Sequence, residues 1–358
     1  MSREKIGILS GKFSIGLLSH IYAFYEMGNK CNFECYMILA NGYRKFIDVD
    51  NERKNIIYIN PIYKIHLPKL DCLIIYNISY IDNIIIDKIR KNKLAKVIFV
   101  YHEPWTTWKK ELVREHTPIN IIKAIGRHYL ANRILKKADE IWLPSKHARE
   151  IFTQYYGEKY QYAEIPLIFL REKSNGNEDR KYFSYIATVS YQKRFKEFLD
   201  FIAYASKRNK QLKFLIATRS NIEKYLTREI KHMIDAGCLE VHHGRELSIA
   251  EINYYYSVTW CNWLLYRSST QSGVFAKACM LGTPCVVSDL PAFTEYVKNK
   301  DQIIRMDASN EEIYSKIMMI KNNLTCEIEQ AKKIYCKNFS IDANADLFKE
   351  RIINVING

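Results

Sequence analysis

The sequence predicts an α/β protein with two domains, each built on a parallel sheet. Short apolar runs alternate with longer amphipathic stretches along the whole chain, as expected of βαβ units. The 358 residues, 48% of them hydrophobic, are enough to form two ordinary cores. A polar segment near the middle of the chain divides the alternating pattern into two halves.

Twelve apolar runs rich in Ile, Val, Leu and Tyr are strand candidates, six in each half. Those of the first half are residues 6–10, 34–39, 56–59, 72–76, 96–101 and 140–143. Those of the second half are residues 183–189, 213–217, 239–242, 261–265, 284–288 and 302–305. Two sheets of similar size are therefore expected.

The polar segment, residues 171–181, carries no large apolar side chain and is predicted to be a linker. It separates an N-terminal domain, residues 1–170, from a C-terminal domain, residues 182–341. The remaining residues, 342–358, have helical spacing and could pack on either domain. Helical spacing is clearest at 221–236, where the following glycine supplies a C-terminal stop.

Composition narrows the class of protein. The formal charge of +15 makes phosphorylated substrates, anionic membrane surfaces and nucleic acids plausible partners. Nucleic acid is the least favoured, because the basic and aromatic residues form no recognisable recognition motif. Nine cysteines without a CxxC pair lie mostly in apolar runs, which indicates buried thiols and no metal site.

We expect no targeting or spanning segment from the sequence. Its first apolar stretch is shorter than the roughly 7–15 residues of a signal-peptide core. Nowhere do about 18 uncharged apolar residues run together. We therefore expect a cytoplasmic protein, either free or peripheral at the inner face of the membrane.

The segment 268–296 carries the most chemical information. A strand ending near Leu265 leads into a polar loop, and a short helix at 274–281 is predicted to stop at Gly282. The backbone amides of Ser272, Gly273 and Val274 would open this helix and could hold a diphosphate. An ordinary strand-loop-helix connection is the alternative.

The same segment carries a family resemblance. The run 278–289, Ala-Cys-Met-Leu-Gly-Thr-Pro-Cys-Val-Val-Ser-Asp, followed by Glu295-Tyr296-Val297, resembles the donor-binding signature of retaining GT-B glycosyltransferases of the family 4 type. Weaker matches to the family precede this run. They occur in the order expected for the family, at residues 101–105, 142–146, 187–194, 214–217 and 241–247.

The resemblance implies two Rossmann-like, doubly wound domains that face each other across a cleft. It implies an enzyme that transfers a sugar from a nucleotide-diphosphate donor, held by the C-terminal domain, to an acceptor held by the N-terminal domain. A saccharide or lipid-linked acceptor of bacterial surface polysaccharide or lipopolysaccharide synthesis fits this expectation. Retention of configuration is expected, with no metal and no cofactor.

Two departures from the family pattern concern the donor. The family has two glutamates eight residues apart in the loop, and this chain has Ser269 and Lys277 there. An ammonium group can only donate hydrogen bonds, so recognition of the nucleotide ribose cannot be carried over. A Gly-Arg pair of the family is replaced by Ala187-Thr188, which removes one cation from the phosphate site.

The candidate site residues follow from these positions. Those expected to bind the donor are Lys193, Arg194, Arg219, Arg245, Thr270, Gln271, Ser272, Gly273, Val274 and Lys277. By the resemblance, His102 and Glu103 are the catalytic candidates, with His102 near the donor sugar. The alternatives are a solvated helix turn for Lys193 and Arg194, and a histidine satisfied by loop backbone for His102. Glu103 could instead pair with Lys109 or Lys110.

Residues 105–137 combine positive charge with apolar side chains. The segment holds eight Lys or Arg against Glu111 and Glu115, together with two tryptophans and several isoleucines. Such a surface suits anionic lipid headgroups. Solvated helices whose isoleucines face the core are the alternative.

Two other functions remain open. Ser269 and Lys277 are compatible with a non-catalytic binding or scaffold subunit. A sugar-nucleotide epimerase or hydrolase of the same fold would turn over the donor without an acceptor.

Overall fold

A computed structural model describes residues 3–47, 55–59, 67–92, 95–104, 118–172 and 179–358. The chain divides into two compact units. The first comprises Met1–Leu170 and Asn338–Gly358, and the second comprises Arg171–Lys337. Each unit contains one parallel sheet covered by helices, so the predicted α/β fold class is confirmed.

The described strands are all parallel. Those of the first unit are β1 (Lys5–Ser10), β2 (Glu34–Ala40), β3 (Ile56–Ile59), β4 (Cys72–Ile75), β5 (Lys96–Val100), β6 (Glu140–Leu143) and β7 (Tyr162–Glu164). Those of the second unit are β8 (Tyr182–Ile186), β9 (Lys213–Ala217), β10 (Leu239–His242), β11 (Thr259–Leu264), β12 (Cys285–Ser288) and β13 (Ile303–Ile304). The strand orders are β3-β2-β1-β4-β5-β6-β7 and β10-β9-β8-β11-β12-β13.

The described α-helices are α1 (Ile15–Lys30), α2 (Tyr80–Asn92), α3 (Pro118–Leu135), α4 (Lys146–Tyr156), α5 (Phe195–Arg208), α6 (Arg228–Asp235), α7 (Ile249–Ser257), α8 (Gly273–Met280), α9 (Pro291–Thr294), α10 (Asn310–Asn322), α11 (Leu324–Asn338) and α12 (Ile341–Asn357). Short 3-10 helices cover Asn41–Phe46, Tyr191–Lys193 and Glu223–Tyr225. Within the described residues, no helix is long and apolar enough to cross a membrane.

The C-terminal helix α12 packs on the first unit. Phe348 and Ile352 are fully buried in the same core as Phe24 on α1. At the edge of this contact, Arg351 donates two hydrogen bonds to the Glu140 carboxylate, which also accepts one from the Trp142 indole. A paired, hydrogen-bonded carboxylate is tolerated at 8% side-chain exposure because each oxygen has a donor.

The second unit has an aromatic core. Strand β11 is buried along its whole length, and its Trp260 and Trp263 pack against Phe183 of β8. Large aromatic side chains bury the most apolar area per residue, so they dominate the stability of this unit. Strands β8 and β11 are thereby fixed side by side.

Two expectations about local structure need correction. The helix predicted at 221–236 is a 3-10 turn followed by α6, because the Thr227 side chain accepts a hydrogen bond from Ile230 N and starts a new helix. Strand β7 was not predicted, since its three residues are too few for a periodic signal. Residues 173–178 of the predicted linker lie outside the described residues.

The strand orders place one topological switch point in each sheet. The first lies between β1 and β4, and the second lies between β8 and β11. In open parallel sheets, ligands bind beyond the carboxyl ends of the strands at such a point. The loops that follow β8 and β11 are therefore the first place to look for a ligand site.

Candidate functional site

The loops after β8 and β11 are tied to each other. Arg267 N donates to Gln192 O at 2.8 Å, and Ser268 Oγ donates to Gln192 Oε1 at 2.8 Å. These bonds hold residues 187–194 next to residues 265–272. The structure thus brings two of the predicted donor-binding segments together.

Helix α8 begins in this loop with a capped first turn. Ser272 has an extended backbone, and its Oγ accepts from Phe275 N at 3.2 Å. Gly273 and Val274 begin the helix, where backbone N–H groups have no intrahelical acceptor. Since the first turn contains no acidic residue, its positive partial charge is not offset locally.

Helix α8 ends in a Schellman motif. Gly282 has a φ of +65°, and its N–H bonds to Cys279 O while Thr283 N bonds to Ala278 O. The predicted glycine stop is therefore correct. The motif fixes the length of α8 and hence the position of its N-terminus relative to β11.

Lys193 lies beside the α8 loop. Its Nζ donates to Thr188 Oγ1 at 2.9 Å and lies 5.7 Å from the centroid of the Tyr266 ring. Thr188 occupies the place where the resembling family has arginine. The neutral Thr188 hydroxyl thus helps to position the Lys193 ammonium group.

Arg194 is packed into the fold. It has a left-handed backbone, with a φ of 52°, and its side chain is only 11% exposed. Its Nε lies 3.6 Å from Glu197 Oε1, and burial lowers the pKa of the guanidinium group. A solvated first turn does not describe this residue.

Two residues of this region were missed by the sequence analysis. Arg267 forms an ion pair with Glu197, and its guanidinium carbon lies 4.3 Å from the centroid of the Tyr191 ring. Arg267 comes three residues after the end of β11, so its place at the carboxyl edge of the sheet was a usable signal. Arg267 and Glu197 are separated by 70 residues, so local spacing in the sequence could not predict their pairing.

Lys277 is buried in an ion pair. Its Nζ lies 2.6 Å from Glu172 Oε2, and Asn253 Nδ2 donates to the same oxygen. Burial lowers the pKa of Lys277, while the Glu172 carboxylate acts in the opposite direction. The charge of Lys277 is therefore already neutralised by a residue of the predicted linker.

The other basic candidates lie at the ends of β9 and β10. Arg219 is exposed and directly follows Thr218 of the β9 loop. The next residue, Ser220, joins three loops, since its Oγ accepts from Val189 N and its O accepts from Gly244 N. Arg245 pairs with Glu251, whose carboxylate belongs to the capping box of α7.

Residues 269–271 carry no acidic group. Ser269 Oγ donates to Gln271 O at 2.8 Å. Gln271 Nε2 is buried and has no hydrogen-bond partner within the described residues, and Thr270 is half-buried next to it. These side chains offer hydroxyl and amide groups to a ligand.

His102 and Glu103 lie in the first unit, directly after β5. His102 is half-buried as a residue, but its ring atom Nε2 is buried. The ring centroid lies 5.3 Å from that of Tyr76 and 6.5 Å from that of His20. Burial lowers the pKa of His102 to about 4, so the imidazole is neutral near pH 7. Glu103 is exposed, and its alternative partners Lys109 and Lys110 lie outside the described residues.

No protein-family model and no curated protein sequence matches the chain. Its structure is similar to the pneumococcal O-GlcNAc transferase GtfA in complex with UDP and GlcNAc, with a TM-score of 0.70 and 11% identity over 99% of both chains. It is also similar to HepE of Anabaena in complex with UDP-glucose, with a TM-score of 0.67 and 11% identity over 99% of this chain and 100% of that chain.

A glycosyltransferase from Rickettsia africae is similar over 100% of both chains, with a TM-score of 0.69 and 10% identity. The two parallel-sheet units are thus those of the GT-B glycosyltransferase fold. Similarity at this level of identity establishes the architecture.

Proposed function

We propose that the protein is a glycosyltransferase that moves a sugar from a nucleotide-diphosphate donor to a saccharide or lipid-linked acceptor. The observation that carries this proposal is the convergence of the α8 N-terminus, Lys193 and Arg267 at the switch point of the second sheet. Helix N-termini and basic side chains are suited to diphosphates. Similar structures that contain UDP or UDP-glucose support a uridine nucleotide.

The proposed chemistry is metal-independent and retains configuration. The amides of residues 272–274 and the Lys193 ammonium group stabilise the departing diphosphate, and a phosphate oxygen takes the proton of the attacking hydroxyl. The loop then needs no carboxylate at the reaction centre, which agrees with Ser269. A neutral His102 imidazole is suited to a hydrogen bond with a sugar hydroxyl.

For the acceptor, we propose a lipid-linked saccharide of bacterial surface polysaccharide synthesis, reached at an anionic membrane surface. Helix α3 exposes Ile119, Ile122, Ile125 and Tyr129. The sequence from 118 to 138 contains no Asp or Glu, while Lys123 is exposed on the same helix. Apolar side chains among cations favour anionic headgroups. Residues 105–117 of this surface lie outside the described residues.

A second candidate is a binding or scaffold subunit without transfer activity. The favouring observation is that no Asp or Glu occurs between Arg267 and Ser288, and that Lys277 is engaged with Glu172. A sugar-nucleotide epimerase or hydrolase is the third candidate function for the same site.

A donor screen separates these functions. The protein is incubated with a panel of nucleotide-diphosphate sugars, with and without bacterial lipid-linked acceptors, and products are identified by mass spectrometry. Glycosylated acceptor and free nucleotide diphosphate are expected. Release of free sugar without an acceptor indicates a hydrolase, and an isomeric sugar nucleotide indicates an epimerase. Nucleotide binding without any turnover indicates a scaffold.

Flotation with liposomes tests the membrane surface. We expect salt-sensitive flotation with anionic liposomes and none with zwitterionic liposomes. Ile122→Asn should reduce flotation, whereas Ile84→Asn, which alters an exposed isoleucine of α2, should not. Equal behaviour of both variants would remove α3 from the proposal.

A further inference from the structure

One carboxylate serves two guanidinium groups at the candidate site. Glu197 pairs with Arg267 and lies 3.6 Å from Arg194 Nε. The three side chains are between 11% and 32% exposed, so they are well shielded from solvent. The group thus has two cations and one anion.

The guanidinium groups are incompletely satisfied. The Nε atoms of Arg194 and Arg267 are buried and have no hydrogen-bond partner within the described residues. A buried donor without an acceptor costs free energy, and a charged donor costs more than a neutral one. A further anion at the exposed part of the Arg267 guanidinium group would offset the second positive charge.

The positions of Arg267 and Glu197 in the fold are relevant to ligand binding. Arg267 N bonds to Gln192 O, and the guanidinium carbon of Arg267 lies 4.3 Å from the centroid of the Tyr191 ring, so the side chain lies against the loop that follows β8. Glu197 lies in the first turn of α5, where the helix dipole favours a negative charge. The carboxylate therefore has a second source of stabilisation if the guanidinium group leaves it.

We propose that Arg267 binds the donor diphosphate and that Glu197 is its resident counter-ion, displaced when the diphosphate arrives. The inference rests on the proposed function and names a binding residue for it. Arg267 thereby supplies the positive charge that the resembling family has in an arginine at the position of Thr188. Lys277 does not supply it, because Glu172 holds its ammonium group.

Calorimetric titration with inorganic pyrophosphate and with UDP tests this exchange. Arg267→Gln should weaken both ligands by about tenfold, the loss expected for a charge-assisted hydrogen-bond pair. Arg267→Lys should lose less, because it retains the charge. Glu197→Gln should tighten both ligands by roughly three- to tenfold, since the competing anion is gone.

The matched control is Arg208→Gln. Arg208 forms an ion pair with Glu311 at the far end of α5. The Arg208→Gln variant should therefore bind both ligands as the wild type does. Melting temperatures are measured for every variant. The gain expected for Glu197→Gln cannot arise from misfolding, so the test does not depend on the stability of the Arg267 variants.

The outcomes are distinct. If Arg267→Gln binds pyrophosphate as well as the wild type, or if Glu197→Gln binds it more weakly, the exchange is wrong and the pair only ties two loops together. The donor proposal survives that result as long as the wild type binds UDP. If the wild type binds neither ligand, both proposals are wrong.

Discussion

Lys277 Nζ lies 2.6 Å from Glu172 Oε2, which places a buried lysine and a carboxylate from the start of the second unit in one ion pair. The side chains are 10% and 23% exposed. In the resembling family a glutamate stands at the position of Lys277. This chain therefore has a carboxylate and a cation in this part of the fold, contributed by different segments.

The first prediction concerns the stability of this pair. Lys277→Met should lower the free energy of unfolding by about 1–3 kcal/mol, because the Glu172 carboxylate loses its charged partner and keeps, among the described residues, the hydrogen bond from Asn253. Adding Glu172→Gln should recover most of the loss. A double-mutant cycle from urea unfolding measures the coupling, and additive effects of the two changes would show that the pair contributes nothing.

The second prediction concerns His102 and pH. The folded protein holds the pKa of His102 at about 4, below its ordinary value of 6.5, because the ring is buried. Between these values the unfolded chain binds more protons, so the contribution of His102 to stability is complete above pH 6.5 and is lost as pH falls toward 4.

His102→Gln should flatten this part of the stability curve, measured by urea unfolding from pH 4 to pH 7. The control, His232→Gln, removes an exposed histidine from α6. Proton NMR of the imidazole gives the direct check. A midpoint near pH 6.5 for His102 would contradict the assignment of a buried, neutral ring.

The third prediction concerns the stop of α8. A Cβ at Gly282 would meet Lys332 Cε at 2.9 Å and Ile328 Cγ2 at 3.3 Å, in addition to the strain of a positive φ. At Gly237, with a φ of +69°, a Cβ would meet no atom within 4 Å.

Gly237→Ala should therefore cost about 1 kcal/mol of unfolding free energy for the left-handed backbone alone. Gly282→Ala should cost about 1 kcal/mol more, since packed side chains must also move. Equal losses of unfolding free energy in the two variants would mean that the α11 side chains Lys332 and Ile328 move at no cost when a Cβ is added at Gly282.

The fourth prediction concerns the phosphates. Lys193→Ala combined with Arg194→Ala should weaken UDP binding by about tenfold or more, because two positive charges of the loop after β8 are removed. Lys224→Ala is the control, because Lys224 lies over Tyr225 much as Lys193 lies over Tyr266. Unchanged affinity in the double variant would place the phosphates elsewhere.

The fold could be predicted from the sequence more completely than the contacts of the candidate site. Eleven of the twelve predicted strands overlap observed ones by four residues or more, and the twelfth, 302–305, contains the two residues of β13, because continuous buried runs mark parallel strands clearly. The helix prediction at 221–236 was wrong in its first half because apolar spacing continues across the Thr227 cap.

The local structure around the candidate site was predicted within one loop, and the contacts between distant segments were not predicted. The start of α8 near Gly273 and its stop at Gly282 were predicted from local spacing. Arg267 with Glu197, and Lys277 with Glu172, are separated by 70 and 105 residues. Periodicity reports which face a residue lies on, and it does not report which distant side chain it meets.

Amide hydrogen exchange with and without UDP tests the central claim most directly, since it locates the bound diphosphate on the chain. We predict slower exchange in peptides that cover residues 188–194 and 267–275, where the β8 loop and the α8 N-terminus lie. Peptides of α3 should be unaffected. Protection that is absent from both of these segments, while UDP is bound, would contradict the proposed donor site.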